Sequence, residues 1–493
     1  MEDLCKTALQ VASEAGASYA DARFVATRQE KVQTKNGTVE GLTSSVDRGI
    51  GIRVIADGAW GFAATSDVGE SSVRDAAQLA VQIARASATT RGEPLELSAL
   101  EPVVDHVAHS AEQDPFEVPL DKRIALLLDC DKIMAEAADV RLRQGFITAS
   151  RREKLFASTE GAQIYQERIE TGAGIEATAT DGAETQRRSY PNSHGGQMGA
   201  RGWELVEELD LPGHAAPIAK EAEALLTAPH FPEGRFDIIL DGPQLALQVH
   251  ESCGHPIELD RVLGMEASFA GTSFLTTDKL ESGFRYGSDI VNITADATLQ
   301  GGLGSFAYDD EGVPGQCTTI VDKGIFAGYL TSRETAPVIG QASQGAMQAD
   351  GWARIPLIRM TNINLLPGDQ TLDEIIADTD HGFMLCTNTS WSIDDKRLNF
   401  QFGTEVAYEI NHGELGQLYR NPTYNGITPE FWASCDAICG KQPGEWVIWG
   451  VPNCGKGEPM QTARVGHGVA PARFRQVRCG VMKQESGGGH EHA

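Results

Sequence analysis

Leu247-Gln248-Val249-His250-Glu251-Ser252-Cys253-Gly254-His255-Pro256-Ile257-Glu258-Leu259-Asp260 is the stretch from which this chain is read. It places His250, Glu251 and His255 close together in sequence. Neutral imidazole is a common zinc ligand, and a neighbouring glutamate can take a proton from water at the metal. The spacing, His-Glu-x-x-x-His, is one residue longer than the familiar His-Glu-x-x-His. Residues four apart share a helix face, but residues five apart sit about 140° apart at roughly 100° per residue. A regular helix therefore cannot aim both rings at one ion. Gly254 can leave helical geometry cheaply, and Pro256 disfavours helical φ/ψ at His255. The expectation is a helix carrying His250 and Glu251 that bends or ends near Gly254 and swings His255 back to the metal. Leu245-Ala246-Leu247 and Val249 are apolar, which sets the histidines at the end of a buried element. The competing reading is a surface helix end with two unrelated histidines.

A catalytic zinc takes three protein ligands and keeps a fourth place for water. The local candidates for a third are an isolated Cys or His in a Gly-rich turn, and Asn453-Cys454-Gly455-Lys456-Gly457 fits. By itself Cys454 reads as an ordinary cysteine.

With Gly254 and Asp260 in register, the segment resembles the core of the TldD/PmbA family, once named modulators of DNA gyrase and now regarded as metalloproteases. TldD-type members carry His-Glu-x-x-Gly-His and then an acidic residue; the PmbA (TldE) type lacks the ligands. The resemblance implies that Cys454, followed by Gly455-Lys456 and 465–471, is the third ligand beside His250 and His255, with Glu251 as general base. It runs on through Tyr308-Asp309-Asp310-Glu311-Gly312, Arg359-Met360-Thr361-Asn362 and Phe400-x-Phe402-Gly403, and covers nearly the whole chain. Glu258 or Asp260 can orient a ligand imidazole by accepting its free N–H, Asp260 being the family match. His467 is a candidate contact to a ligand or substrate. The Asp-Asp-Glu-Gly stretch reads either as a solvated turn or as a substrate-positioning segment near the cleft. Cys253 reads as core, and Cys435-x-x-x-Cys439 matches no redox motif.

Length and composition fit this picture. The 493 residues suggest two or three domains, and 41% hydrophobic with 22% charged residues is ordinary for a globular protein. A formal net charge of −28 opposes a phosphate-backbone binder, so no direct nucleic-acid role is expected. No apolar run reaches a membrane span, and Met1-Glu2-Asp3-Leu4-Cys5 has no signal-peptide character. Nine scattered cysteines point to a reducing cytoplasm, most of them as small buried side chains.

Along the chain, 2–16 reads as a helix. Asn36-Gly37 and Asp57-Gly58 each turn a hairpin. Gly49-x-Gly51 lies inside the second hairpin and opens no helix, which removes a dinucleotide reading. Helices are expected over 71–88, 120–136 and 205–226, with a linker over 92–119. Four short strands are expected at 142–148, 153–158, 163–167 and 174–179, then a mobile loop over 189–202. Residues 229–234 mark a boundary before a strand at 236–240. Beyond the motif the chain is β-rich, with hairpins at Asp322-Lys323-Gly324 and Asn411-His412-Gly413 and a short helix over 372–377. The fold class is α+β: an N-terminal domain (1–110) with hairpins and long helices, a middle helix-plus-strand domain (111–230), a β-rich catalytic domain with antiparallel sheet (231–485), and a disordered Gly-rich tail (486–493).

The resemblance implies a Zn²⁺-dependent peptidase acting on unfolded or extended peptides, including leader peptides of modified precursors, and the cysteine usage places it in the cytoplasm. The resemblance also implies a peptide bound as an added strand, and a homodimer or a heterodimer with a PmbA/TldE-type subunit. Two other readings stay open: a non-catalytic protein-binding modulator of gyrase type with a structural or absent metal, and a peptide-modifying biosynthetic enzyme.

Overall fold

The computed structural model describes residues 1–480 except 91, 109, 110, 194 and 270. The 486–493 tail expectation falls outside them. The mixed α+β expectation holds, with mostly antiparallel sheets. Among the described residues, no helix is long and apolar enough to cross a membrane.

Strands Tyr19–Lys35, Thr38–Ala56 and Ala59–Thr65 make the two expected hairpins, the middle one serving both. Asn36, Gly37, Asp57 and Gly58 have φ of 46°, 77°, 53° and 77°, the left-handed geometry that matches strand twist. Val140–Ser158 and Gln163–Thr180 continue this sheet. Four short strands were expected here; two long ones form. The polar run Arg151-Arg152-Glu153-Lys154 does not end a strand, because Lys154 and Arg152 bond into the C-terminal part of the chain.

The two faces of this sheet differ by the period-two rule. Ala20, Ala22, Phe24, Ile52 and Val54 pack under helices Glu2–Glu14 and Glu70–Ala88. Farther along, Val32, Ile147 and Ile175 pack under Leu120–Met134 and Leu211–Thr227. The opposite face carries buried charge. Arg23 Nη1 lies 3.1 Å from Asp310 Oδ2, and Lys154 Nζ lies 2.6 Å from Asp310 Oδ1. Arg53 spans Asp21 (2.8 Å) and Glu311 (3.3 Å). Residues 309–311 are therefore a buried ionic joint, which removes the solvated-turn reading. Gly49 is required on this side, since a Cβ there would stand 2.3 Å from the Trp352 indole.

Beside the short pair Met347–Gln348 and Leu357–Ile358, two larger sheets build the C-terminal part. One has six strands and ends in Gln461–Val469 and the edge strand Val447–Lys456. In the other, pairing runs from Gly234–Leu240 through Ala472–Cys479, Thr423–Ile427, Asn399–Asn411 and His381–Ile393, then back in parallel to Gly234–Leu240. Helix Gly242–Val249 packs against strands of both sheets, and one apolar cluster unites them. The turn at His412-Gly413 and the helix Leu372–Ala377 stand where expected. The stretch 189–202 is not a mobile loop in its described part. It contains strand Gln197–Gly199 and buries Ser189, Ser193 and Met198.

Candidate metal centre

Asp241 starts the helix that carries the site, accepting the Gln244 N–H at 2.9 Å, with Pro243 in the first turn. After Val249 the helix widens. Residues His250–Gly254 form a π turn in which the His255 N–H donates to the His250 carbonyl. That i→i+5 bond brings residues five apart together, as this motif needs. The two rings stand 4.9 Å apart, centroid to centroid. The expected exit at Gly254 does not occur. Gly254 (φ −57°, ψ −54°) and His255 (φ −67°, ψ −41°) both remain helical, Pro256 notwithstanding. Glycine serves close approach instead: a Cβ on Gly254 would lie 2.3 Å from Met360 Sδ.

Cys454 arrives from the edge strand Val447–Lys456, its carbonyl accepting from Arg359. Its Sγ lies 3.6 Å from His255 Nε2. The ligand atoms of His250, His255 and Cys454 all fall within 4.8 Å of one another, and all three residues are buried. Residues separated by about two hundred positions thus meet at one point.

The neighbours of the imidazoles fix their tautomers. His467 Nδ1 lies 3.2 Å from the Ile363 carbonyl, which can only accept, so that nitrogen carries the proton. His467 Nε2 then accepts from His250 Nδ1–H at 2.8 Å, leaving the lone pair of His250 on Nε2. His255 Nδ1 donates to Glu258 Oε2 at 3.0 Å and likewise presents Nε2. Burial and the adjacent His250 hold His467 well below its ordinary pKa, and burial lowers His250. Burial alone would raise the Cys454 thiol, but His255 and Arg359 outweigh it and lower it. Two imidazoles that present Nε2 and a thiol inclined to ionise suit zinc, and no fourth His, Cys, Asp or Glu joins the group among the described residues.

Of the two acidic candidates, Glu258 touches the ligand. Asp260 does not. It pairs with Lys456 Nζ at 2.7 and 2.8 Å. Burial would raise Glu258, yet Lys456, His255 and Arg261 hold it well below the carboxylate range.

Glu251 faces a cavity of about 410 Å³ lined also by His250, His255, Trp391, Trp449 and Cys454. Its Oε2 accepts from Arg397 Nη1 at 3.0 Å. Sequence reasoning missed Arg397, which sits in the Asp394-Asp395-Lys396-Arg397 tip between two strands and carries no local signal. It also missed Asp380, His381 and His412, whose ligand atoms also lie within 4.8 Å of one another. Those three are exposed, at 73%, 66% and 73%, where water competes for any ion.

Three family models match the chain: PmbA/TldA metallopeptidase domain 1 over residues 20–84, the central domain over 113–228 and the C-terminal domain over 233–474. A metalloprotease of Methanocaldococcus jannaschii is 29% identical over 422 residues, covering 85% of this chain and 89% of that protein. A metalloprotease TldD homolog of Haemophilus influenzae is 27% identical, covering 95% and 94%. A zinc metalloprotease TldD homolog of Saccharolobus solfataricus is 24% identical, covering 85% and 88%. Among solved structures, a putative modulator of a DNA gyrase from Thermotoga maritima superposes with a TM-score of 0.76 at 16% identity, covering 97% of this chain and 100% of that one. TldE from Thermococcus kodakarensis gives 0.74 at 15%, covering 97% and 100%. At such identities the structural likeness speaks for the fold alone.

Proposed function

Because the chain belongs to the PmbA/TldA metallopeptidase family, we propose that it is a zinc-dependent peptidase of the TldD type that hydrolyses unfolded or extended peptides. The observation that carries this reading is the meeting of His250, His255 and Cys454 beside Glu251 at one cavity. Zn²⁺ held by those three residues would polarise the scissile carbonyl and make water acidic enough to lose a proton near neutral pH. Glu251 takes that proton and passes it to the leaving amine. His467 and Glu258 keep both ligand rings in the tautomer that offers Nε2.

The strand Val447–Lys456 is a sheet edge, which suits a peptide added as a further strand. The Gln197 amide already bonds Ile448 O at 2.8 Å and Gly450 N–H at 3.0 Å. A peptide is therefore confined to the edge beyond Gly450, toward Cys454. A second subunit, another copy or a PmbA/TldE-type chain, belongs to this reading, as does a cytoplasmic location, with which nine free cysteines agree. A gyrase-type modulator with a structural metal would need the fourth coordination place filled.

Metal analysis of wild type and Glu251→Gln, each assayed on an unstructured peptide alone and with a PmbA-type partner, tests the proposal. Retained zinc with lost cleavage supports it. Cleavage by the variant at the wild-type rate, or wild type without zinc, overturns it.

A further inference from the structure

The carboxylate beside the metal ligands has one held oxygen and one open oxygen. Glu251 Oε2 accepts from Arg397, while Oε1 has no hydrogen-bond partner among the described residues. A base held in this way can turn only its open oxygen toward water. A guanidinium stays charged at any physiological pH and cannot itself accept the proton.

The backbone around Arg397 is built to hold that arrangement. Arg397 has φ +61°, a left-handed conformation uncommon for a long side chain. It persists because its surroundings fix it. The Arg397 N–H donates to the Asp394 carbonyl at 2.8 Å, and Thr428 Oγ1 donates to the Arg397 carbonyl at 3.0 Å. The tip is also clasped from the side: the amides of Thr272 and Phe274 donate to the carbonyls of Asp395 and Lys396 at 2.9 and 2.8 Å. The side chain is mostly buried, 17% exposed, and its Nε is buried without a hydrogen-bond partner among the described residues.

We propose that Arg397 is the positioning residue for the base: its strained hairpin tip holds one oxygen of Glu251 so that the other faces the cavity. The proposal rests on the peptidase reading above, yet it makes a claim about Glu251 that can be seen without turnover. It assigns Arg397 no contact with the metal.

Arg397→Ala and Arg397→Lys are compared with wild type for metal content, for kcat and KM on an unstructured peptide, and by crystal structure. The expected result for Arg397→Ala is full metal content, kcat lower by about 10²-fold, KM within about threefold and partial rescue by added guanidinium ion. Arg397→Lys recovers part of the rate. In the Arg397→Ala crystal, Glu251 leaves its wild-type rotamer or takes several. An unchanged Glu251 carboxylate there overturns the proposal, as does a rise in KM with kcat preserved. If Glu251→Gln kept wild-type activity, the peptidase reading would fail by itself, and the crystal would still decide the role of Arg397.

Discussion

His467 stands behind His250, its Nε2 2.8 Å from the Nδ1 that faces away from the other ligands. Its own Nδ1 is committed to the Ile363 carbonyl, so it can only accept from His250. Removing this acceptor frees the His250 ring to turn and to change tautomer. His467→Ala is expected to lower zinc affinity about 10–100-fold, with Glu251 and the fold in place. Competition against a zinc chelator measures it. Affinity within twofold of wild type would show that His250 needs no such support.

Gly254 is where packing and coordination meet. A methyl group there must displace Met360, whose Sδ would lie 2.3 Å from the new Cβ. The alternative is to move the π turn that holds both histidines. Gly254→Ala is expected to cost about 1–3 kcal/mol in urea unfolding and to reduce zinc content. Adding Met360→Ala should restore much of the zinc, since it vacates the clashing volume. A double variant no better than the single one would mean that Met360 is not what excludes a side chain at this position.

These two positions also show what the sequence could and could not reveal. Turn chemistry spoke clearly at Asn36-Gly37, Asp57-Gly58 and His412-Gly413, because positive φ demands particular residues. The motif spacing stated that a regular helix would fail at His255, but it left the remedy open. Breaking at Gly254 and widening into a π turn satisfy the same pattern, and only the packing of Met360 separates them. Arg397 and the pairing of Lys456 with Asp260 left no local trace, since each depends on chain segments far apart in sequence. The two long strands were misread for a related reason: charged residues inside a strand look like an end until a buried ionic partner is known.

The ionic joint at 309–311 predicts opposite pH responses from adjacent carboxylates. Burial would raise Asp310, but Lys154 and Arg23 outweigh it and hold it at about 2. A lowered carboxylate stabilises the fold above its unfolded pKa of about 3.9, and that gain is lost as pH falls toward about 2. Asp309 behaves in reverse, pushed up to about 7 by burial and by Glu311. Its contribution is fully present below about pH 4 and is lost as pH rises through about 7. Urea unfolding across this range checks both. Asp310→Asn is expected to lose about 3–5 kcal/mol at neutral pH, with the deficit shrinking in acid. Asp309→Asn should flatten the decline between about pH 5 and pH 7. A constant offset from wild type at every pH, in either variant, would contradict the assignment.

Glu258 and Asp260 are two positions apart, and their roles separate cleanly. Glu258 Oε2 receives the His255 Nδ1–H at 3.0 Å, whereas Asp260 grips Lys456 Nζ at 2.7 Å. Lys456 Nζ also lies 3.5 Å from Glu258, so the two carboxylates share one buried cation. Changing Glu258 acts on the metal first. Glu258→Gln can still offer a carbonyl oxygen to His255, but it removes a negative charge from behind a ligand ring. It is expected to lower zinc affinity about 10–100-fold. Asp260→Asn weakens the hold on Lys456, and its main cost should be stability, about 1–3 kcal/mol, with zinc affinity changed less than about threefold. Chelator competition and urea unfolding on both variants decide between them. If Asp260→Asn proved the more damaging to zinc, the acidic residue that supports His255 would act through Lys456, and direct contact with the imidazole would not be what sets affinity.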